Sequence, residues 1–177
     1  MAETSPRISV EYIPDMSAED RKAITRWYRE VFNLPSEDMI IPGDYDIRVW
    51  EGDQWVSLVE VVQRTILVGG QPVRVGGVGG VSTHPEHRYK GYSAMALREA
   101  AHLMFDELNV EFGMLFCAPE METFYGKLGW QPIHKPFRHL DHETSQPTWD
   151  ENFMILPSPG SSRQWPDGEV DLNGHGW

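Results

Sequence analysis

At 177 residues with 40% hydrophobic side chains, the chain is long enough for one domain with a real core and too short for two ordinary ones. A formal net charge of -12 argues against nucleic-acid binding, which leaves a basic footprint, and is compatible with a cationic small-molecule ligand. The single cysteine, Cys117, excludes an intramolecular disulfide and a zinc site with several thiolates. With no signal-peptide pattern over residues 1–7 and no apolar run of membrane-spanning length, the expectation is a cytoplasmic protein without a membrane partner.

Ile8 to Ile13 alternates apolar and polar residues, as a half-buried strand does. Ser17 is placed to cap a helix with Glu19 and Asp20 in its first turn, and Ile24, Trp27, Tyr28, Val31 and Phe32 fall on one face. Pro35 ends this region. Residues 33–46, with Glu37, Asp38, Asp44 and Asp46, are acidic and turn-rich and predict a short helix or loop. Strands follow in hairpin order: Asp46 to Trp50, a turn at Glu51-Gly52-Asp53, Trp55 to Leu67 ending at Gly69-Gly70, and a return from Pro72 to Thr83. Gly76, Gly77, Gly79 and Gly80 lie within that last strand. Glycine there marks a bulge or the close approach of another group.

Ser93 to Leu108 has a helical period, with Leu97, Ala101, Met104 and Leu108 on one face. Phe112 to Ala118 reads as a buried strand. Pro119 opens a further helix that buries Phe124, Tyr125 and Leu128 and stops at Gly129. Residues 131–151 predict a long loop with one strand near Ile133, and Asn152 to Leu156 is the last clear strand. Beyond Pro157 the Pro, Gly, Ser and Asp content predicts disorder. No internal repeat is present. The order gives a mixed α/β or α+β architecture.

The most informative stretch runs from Val81 through Ser82, Thr83 and Pro85 to Arg88-Tyr89-Lys90-Gly91-Tyr92-Ser93: a strand, a proline break, a basic glycine turn and a helix start. Glycine permits the tight turn, the N–H groups of the turn and helix start suit a pyrophosphate, and Arg88 and Lys90 add positive charge in an acidic chain. Gly91 belongs to no Gly-Lys-Ser/Thr phosphate loop, which argues against nucleotide hydrolysis.

Arg88 to Ser93 resembles the acyl-CoA-binding signature of the GNAT superfamily of N-acetyltransferases: Arg or Gln, two residues, Gly, one residue, then Gly or Ala, with Ser93 in the last place. Phe124-Tyr125-Gly126-Lys127-Leu128-Gly129-Trp130 resembles a second feature of that superfamily. Within it the chain is most similar to the aminoglycoside 2'-N-acetyltransferases, from Ile8 through Val61-Val62-Gln63-Arg64 to the terminal His175-Gly176-Trp177. The resemblance implies one domain over residues 1–177, with a central, mostly antiparallel twisted sheet of six to seven strands flanked by about four helices. It also implies that residues 157–177 form a tail folded over the acceptor site, and that homodimers are an option. The sequence departs from that subfamily at two places: Gly79 stands where a strand glutamate is expected, and His175 where an aspartate is expected.

The activity implied is acetyl transfer from acetyl-CoA to an amino group of an aminoglycoside or a similar cationic amino sugar, in a ternary complex without a metal. Another amine as acceptor, or an acyl-CoA-binding module without catalysis, are the alternatives. Val81, Ser82 and Thr83 are expected at the family's β-bulge along the pantetheine arm, and Arg88, Tyr89, Lys90, Gly91, Tyr92 and Ser93 on the pyrophosphate. Tyr125 is implied as the acid toward the leaving thiolate. His175 or the Trp177 carboxylate is a candidate base, and the Trp177 ring an aromatic plate. Asp44, Asp46, Asp150, Glu151 and Asp171 are candidates for holding a cationic acceptor. His134, His139, His142 and Asp141 span a proline-containing loop and do not form a helical metal motif. Cys117, in an apolar strand without an adjacent base, reads as an inert buried thiol.

Overall fold

A computed structural model describes residues 5–33, 43–142 and 144–177. The chain divides into two compact units, Met1–Val62 with Gly79–Ala100, and Gln63–Val78 with Ala101–Trp177. Glu37 and Asp38, and the predicted short helix or loop over most of residues 33–46, lie outside the described residues.

In the first unit, β1 (Arg7–Tyr12) pairs antiparallel with β2 (Tyr45–Glu51), Arg7 opposite Trp50 and Tyr12 opposite Tyr45. Ile13, expected in the strand, instead opens a 3-10 turn over Ile13–Asp15, where Pro14 removes a ladder donor. β2 pairs with the first part of β3 (Gln54–Val68), Tyr45 opposite Val61. Helix α1 (Ala18–Phe32) starts where predicted: the Ser17 side chain accepts the Asp20 N–H at 3.1 Å. It ends at Asn33, which is left-handed (φ 53°). Ile24, Trp27 and Tyr28 of its inner face pack on Leu58, with Met16, Val31 and Trp55 around them. Phe32, at the last turn, is 46% exposed and does not share that burial. Helix α2 (Tyr92–His102) follows the glycine turn and continues as one π-turn over Leu103–Glu107, so the α-helix is shorter than its sequence period suggests.

In the second unit, β3 and β4 (Gln71–Thr83) meet in a hairpin whose tip, Gly69-Gly70, is left-handed at both residues. The first part of β4 runs parallel to β5 (Phe112–Phe116), from Val75 opposite Phe112 to Val78 opposite Leu115. After β5 comes the short helix α3 (Glu122–Gly126). β6 (Gln131–Leu140) and β7 (Pro147–Pro157) form an antiparallel pair, and β7 also pairs antiparallel with β5. β8 (Val170–His175) runs parallel to β6 and antiparallel to the end of β3, Leu67 opposite Asp171. The pairings therefore return to their start, β3-β4-β5-β7-β6-β8-β3, which leaves this part of the sheet without a free edge. Its core is Ile66, Val75, Phe112, Met114, Phe137, Phe153 and their neighbours.

These strands correct three expectations. Residues 131–151 are not a long loop: β6 pairs with β7 along a ladder whose register shifts between Ile133 and Pro136, so the N–H that Pro136 lacks falls at an irregularity. Asn152–Leu156 is the second half of a longer strand, β7. Residues beyond Pro157 are not disordered: they carry β8, and Trp165 packs on Phe112 at 5.2 Å and Phe153 at 5.6 Å. With β8 the sheet has eight strands where six to seven were expected. Three α-helices, with single-turn 3-10 and π segments, stand among the described residues where about four helices were expected. The architecture remains the expected mixed, mainly antiparallel sheet with helices. No described helix is long and apolar enough to cross a membrane.

Candidate active site

The basic turn of the first unit carries the residues expected at an anion. Tyr89 (φ 64°) and Gly91 (φ 83°) are both left-handed, which folds the chain sharply before α2. Met95 N–H donates to Gly91 O, so the amides before Met95 are the helix's N-terminal donors. Nothing lies within 4 Å of the place a Gly91 Cβ would take, leaving the backbone open to a ligand. The Arg88 Nε–H donates to Thr83 O at 3.2 Å, and Lys90 Nζ lies 3.5 Å from Glu51 Oε1. Glu51 also accepts from the Tyr92 hydroxyl at 2.8 Å and lies 2.7 Å from His87 Nδ1. The Tyr92 hydrogen bond, followed by Lys90 and His87, holds the Glu51 carboxyl below its ordinary range. Tyr89 is fully exposed. The turn thus sets two cationic side chains, an open glycine and a helix start in one short segment, groups of the kind that can bind an anion.

Along the end of β4, the Ser82 hydroxyl accepts from Trp27 Nε1 at 2.9 Å and donates to Gly80 O at 2.9 Å. Ser57 Oγ donates to Ser82 O at 2.8 Å and lies 2.9 Å from Thr83 Oγ1. The Ser82 side chain therefore faces the interior, while Val81 and Thr83 are half-buried. The left-handed residue of this strand is Gly80 (φ 58°), one position before Val81. The Tyr28 hydroxyl occupies the space beside it: a Cβ on Gly80 would fall 2.0 Å from that oxygen.

The same unit buries a polar cluster that contains one sequence candidate, Asp46, together with Arg48 and Glu60, which were not singled out. Asp46 is fully enclosed, with Arg48 Nε donating to its Oδ2 at 2.8 Å and a second guanidinium nitrogen at 2.7 Å. Glu60, 4% exposed, accepts the Gly43 N–H on Oε2 at 3.1 Å. Burial, opposed by Arg48, pushes Asp46 up to about 6, and burial with Asp46 beside it pushes Glu60 up to about 8. Burial first, then Glu60 and Asp46, raises Tyr28 well above the ordinary tyrosine value. Glu60 was not singled out in the sequence, although an acid between Val59 and Val61 was a usable signal. Asp44, half-buried, is tied by backbone: its N–H donates to Val61 O and its carbonyl accepts from Ile13 N–H.

In the second unit, α3 places the Tyr125 ring edge-on to Phe124 at 5.0 Å and Trp130 at 6.3 Å. Burial, with a smaller contribution from Cys117, pushes the Tyr125 hydroxyl up to about 12. Cys117 is half-buried, and burial followed by Glu122 and Glu120 raises its thiol. The chain end is assembled around Arg64. Its guanidinium donates to the His175 carbonyl and lies 5.2 Å from the Trp177 ring centroid. The indole packs on Phe116 at 5.0 Å and on Gly77, and its Nε1 is buried without a hydrogen-bond partner among the described residues. His175 lies stacked on His142 at 5.0 Å, with Nδ1 3.2 Å from Leu140 O. Burial, then His175 and His139, lowers His142.

The candidate acidic residues of this unit have separate surroundings. Asp171 pairs with Arg138 and accepts the Asn173 N–H at 2.9 Å. Asp150, largely exposed, is 3.7 Å from His139 Nε2. Glu151 lies in β7 opposite Pro136. His134 points elsewhere, its Nδ1 3.0 Å from Asn152 Oδ1.

Residues 15–133 match the family profile described as an acetyltransferase (GNAT) domain. The chain belongs to the GNAT acetyltransferase family. It is an acetyltransferase by that membership, acting with an acyl-CoA donor. No curated protein matches it significantly by sequence. Among solved structures it is similar to Escherichia coli ElaA, with 15% identity, a TM-score of 0.64, and coverage of 85% of this chain and 99% of that one. It is also similar to the GNAT family N-acetyltransferase YhbS of Escherichia coli, solved in complex with CoA: 12% identity, TM-score 0.66, coverage 94% and 89%. A GCN5-related N-acetyltransferase from Anabaena variabilis matches at 14% identity and a TM-score of 0.59, over 75% of this chain but 34% of that longer one. At these identities the likeness concerns the GNAT fold.

Proposed function

We propose that this GNAT protein transfers the acetyl group of acetyl-CoA to a primary amine of an aminoglycoside or a similar cationic amino sugar. The observation that carries the donor half is the Arg88 to Ser93 turn, with its left-handed Gly91, open Cβ position and two cations ahead of α2. Support for the acceptor half is the chain's acidity and the ordered tail that ends in Trp177 on Gly77, in keeping with the resemblance to the aminoglycoside 2'-N-acetyltransferases.

Bound acetyl-CoA supplies the thioester. Arg88 and Lys90 hold its diphosphate with the α2 amides, and the backbone beside Gly80 to Thr83 presents N–H donors to the carbonyl oxygen as charge develops there. Tyr125, protonated at neutral pH with its hydroxyl pushed up to about 12, serves the leaving sulfur as a hydrogen-bond donor. Full transfer of its proton to a thiolate of ordinary affinity, about 8.5, would be uphill by roughly 5 kcal/mol. The protein acts as a cytoplasmic enzyme, as monomer or homodimer.

Acetyl-CoA turnover against a panel of amines, read by thiol release, tests this. Release with 2'-amino aminoglycosides and none with their 2'-hydroxyl counterparts is expected. Release with polyamines, amino acids or protein amines alone replaces the acceptor, and CoA binding without release from any amine overturns the enzymatic reading.

A further inference from the structure

We propose that the oxygens of Tyr28, Asp46 and Glu60 form the seat of the acceptor's primary ammonium, and that Glu60 takes its proton. This rests on the acetyl-transfer reading and adds to it a site and a base for which neither Gly79 nor the tail is needed.

Three side chains of the first unit converge, and each has one buried oxygen that is not fully matched among the described residues: Tyr28 Oη, Asp46 Oδ1 and Glu60 Oε1, of which the Tyr28 hydroxyl and the Glu60 carboxyl also act on each other. All three residues are at least nine-tenths buried. Their other capacity is used, since Arg48 occupies Asp46 Oδ2 and the Gly43 N–H occupies Glu60 Oε2. Native proteins rarely leave such atoms unmatched, and once Glu60 is ionised the Tyr28 O–H is the one donor among the three side chains, so the remaining oxygen lone pairs ask for a group with several donors. A primary ammonium has three N–H donors and a positive charge. Water brings two, and a quaternary ammonium none.

The charge balance agrees. Arg48 offsets Asp46, while among the described residues no cation pairs with Glu60, whose charged neighbour is Asp46. Around the pair stand Tyr28 on α1, Arg48 on β2, Glu11 on β1 and Asp20 on α1. Without a ligand Glu60 keeps its proton into the neutral range, because burial and Asp46 both disfavour its charge. An incoming ammonium replaces that proton as the compensating charge, after which Glu60 is a base matched to an operating pH near neutrality. Tyr28 also lies against Gly80, which places the cluster beside the β4 backbone proposed to carry the thioester.

The step balances. One ammonium proton passes to the Glu60 carboxylate. The nitrogen lone pair then forms the C–N bond as the C–S bond breaks, and the second proton neutralises the departing thiolate. The amide product keeps one N–H and no charge, so it loses the match with three oxygens.

Two readouts test this. In the first, methylammonium or tetramethylammonium chloride is titrated into the protein while its melting temperature is followed. Methylammonium is expected to raise the wild-type melting temperature and tetramethylammonium to leave it unchanged, with the response lost in Glu60→Gln and Asp46→Asn and weakened in Tyr28→Phe. Equal responses to both cations, or responses unchanged in the variants, overturn the site. The second takes the amine with the highest turnover. Glu60→Gln is expected to lower kcat/KM roughly 100-fold and remove its acidic limb, with CoA affinity unchanged. Tyr28→Phe, the milder variant should Glu60→Gln fold poorly, is expected to lower it severalfold. Wild-type turnover that survives both within twofold sinks the base assignment alone. If the wild-type turns over no amine, the acetyl-transfer reading fails, and the cation titration still decides the seat.

Discussion

The Trp177 indole lies on the α-carbon of Gly77 so closely that a Cβ there would fall 2.3 Å from ring atom Cε2 and 2.7 Å from Nε1. Gly77 sits opposite Met114 in the β4–β5 ladder, so the strand cannot retreat without breaking pairing. Gly77→Ala is therefore expected to expel the terminal ring and to destabilise by about 1–3 kcal/mol through overpacking. Trp177→Ala removes the clash, so the double variant should lose less than the sum of the singles. Urea unfolding of the four proteins measures this coupling, and additive losses would mean the contact does not matter.

Removal of His175 to Trp177 follows from the same contact. The residues hold the Arg64 guanidinium through the His175 carbonyl and cover Gly77 and Phe116. Turnover is expected to fall at least roughly tenfold, about 1.4 kcal/mol of barrier, with CoA affinity nearly unchanged. Steady-state kinetics beside CoA titration check it, and unaltered turnover takes the tail out of the mechanism.

Much of the turn and helix over residues 81–102 was legible because its signals are local. A proline break, two cations, a glycine that must turn left-handed and a helix period are all carried by residues 81–102. The first helix was equally plain, from the Ser17 cap to the inner face of Ile24, Trp27 and Tyr28. The missed parts depend on partners far along the chain. β6 contains Pro132 and Pro136, and β8 is Val-Asp-Leu-Asn-Gly-His, a weak strand sequence held by β6 on one side and β3 on the other. The glycines of β4 announced close approach, but only the fold shows that Trp177 fills one and the Tyr28 hydroxyl another. Glu60 was hidden for a related reason: its importance comes from what encloses it.

Stability should carry the signature of that enclosure. Folding raises Glu60 from 4.5 to about 8 and Asp46 from 3.8 to about 6, so the folded state binds these protons more tightly than the unfolded chain. Their stabilisation is complete below the unfolded values and is lost as pH rises through the folded ones. Wild-type stability is expected to decline from about pH 4.5 to 8 through these groups, and Glu60→Gln to flatten the upper part of the decline. Near pH 9 the variant should be the more stable of the two. Denaturant unfolding at pH 5, 7 and 9 is the check, and a wild-type slope unchanged in the variant would refute the linkage.

Arg88 and Lys90 give a different pattern. In the proposed donor site both act on a solvent-facing anion, so Arg88→Ala and Lys90→Ala are each expected to weaken CoA binding roughly tenfold and to reduce its salt dependence, without changing the melting temperature of the free protein. CoA titrations at low and high ionic strength measure both effects. Binding by Arg88→Ala that equals wild-type would move the diphosphate away from this turn.

Tyr125 separates two roles that its position alone leaves joined. If it only packs with Phe124 and Trp130, Tyr125→Phe keeps the rings and changes kinetics little. If its hydroxyl serves the leaving sulfur, the same change removes one donor that matters chiefly as the C–S bond breaks. Turnover should then fall about 100-fold with the acceptor KM nearly constant. Because burial pushes the hydroxyl up to about 12, wild-type turnover should show no alkaline loss from this residue below about pH 10. A poorer thiolate leaving group should widen the gap between wild-type and Tyr125→Phe, and a better one should narrow it. The pH profile and a pair of acyl-thioester donors of different leaving-group strength settle the question, and a constant ratio across donors would return Tyr125 to the core.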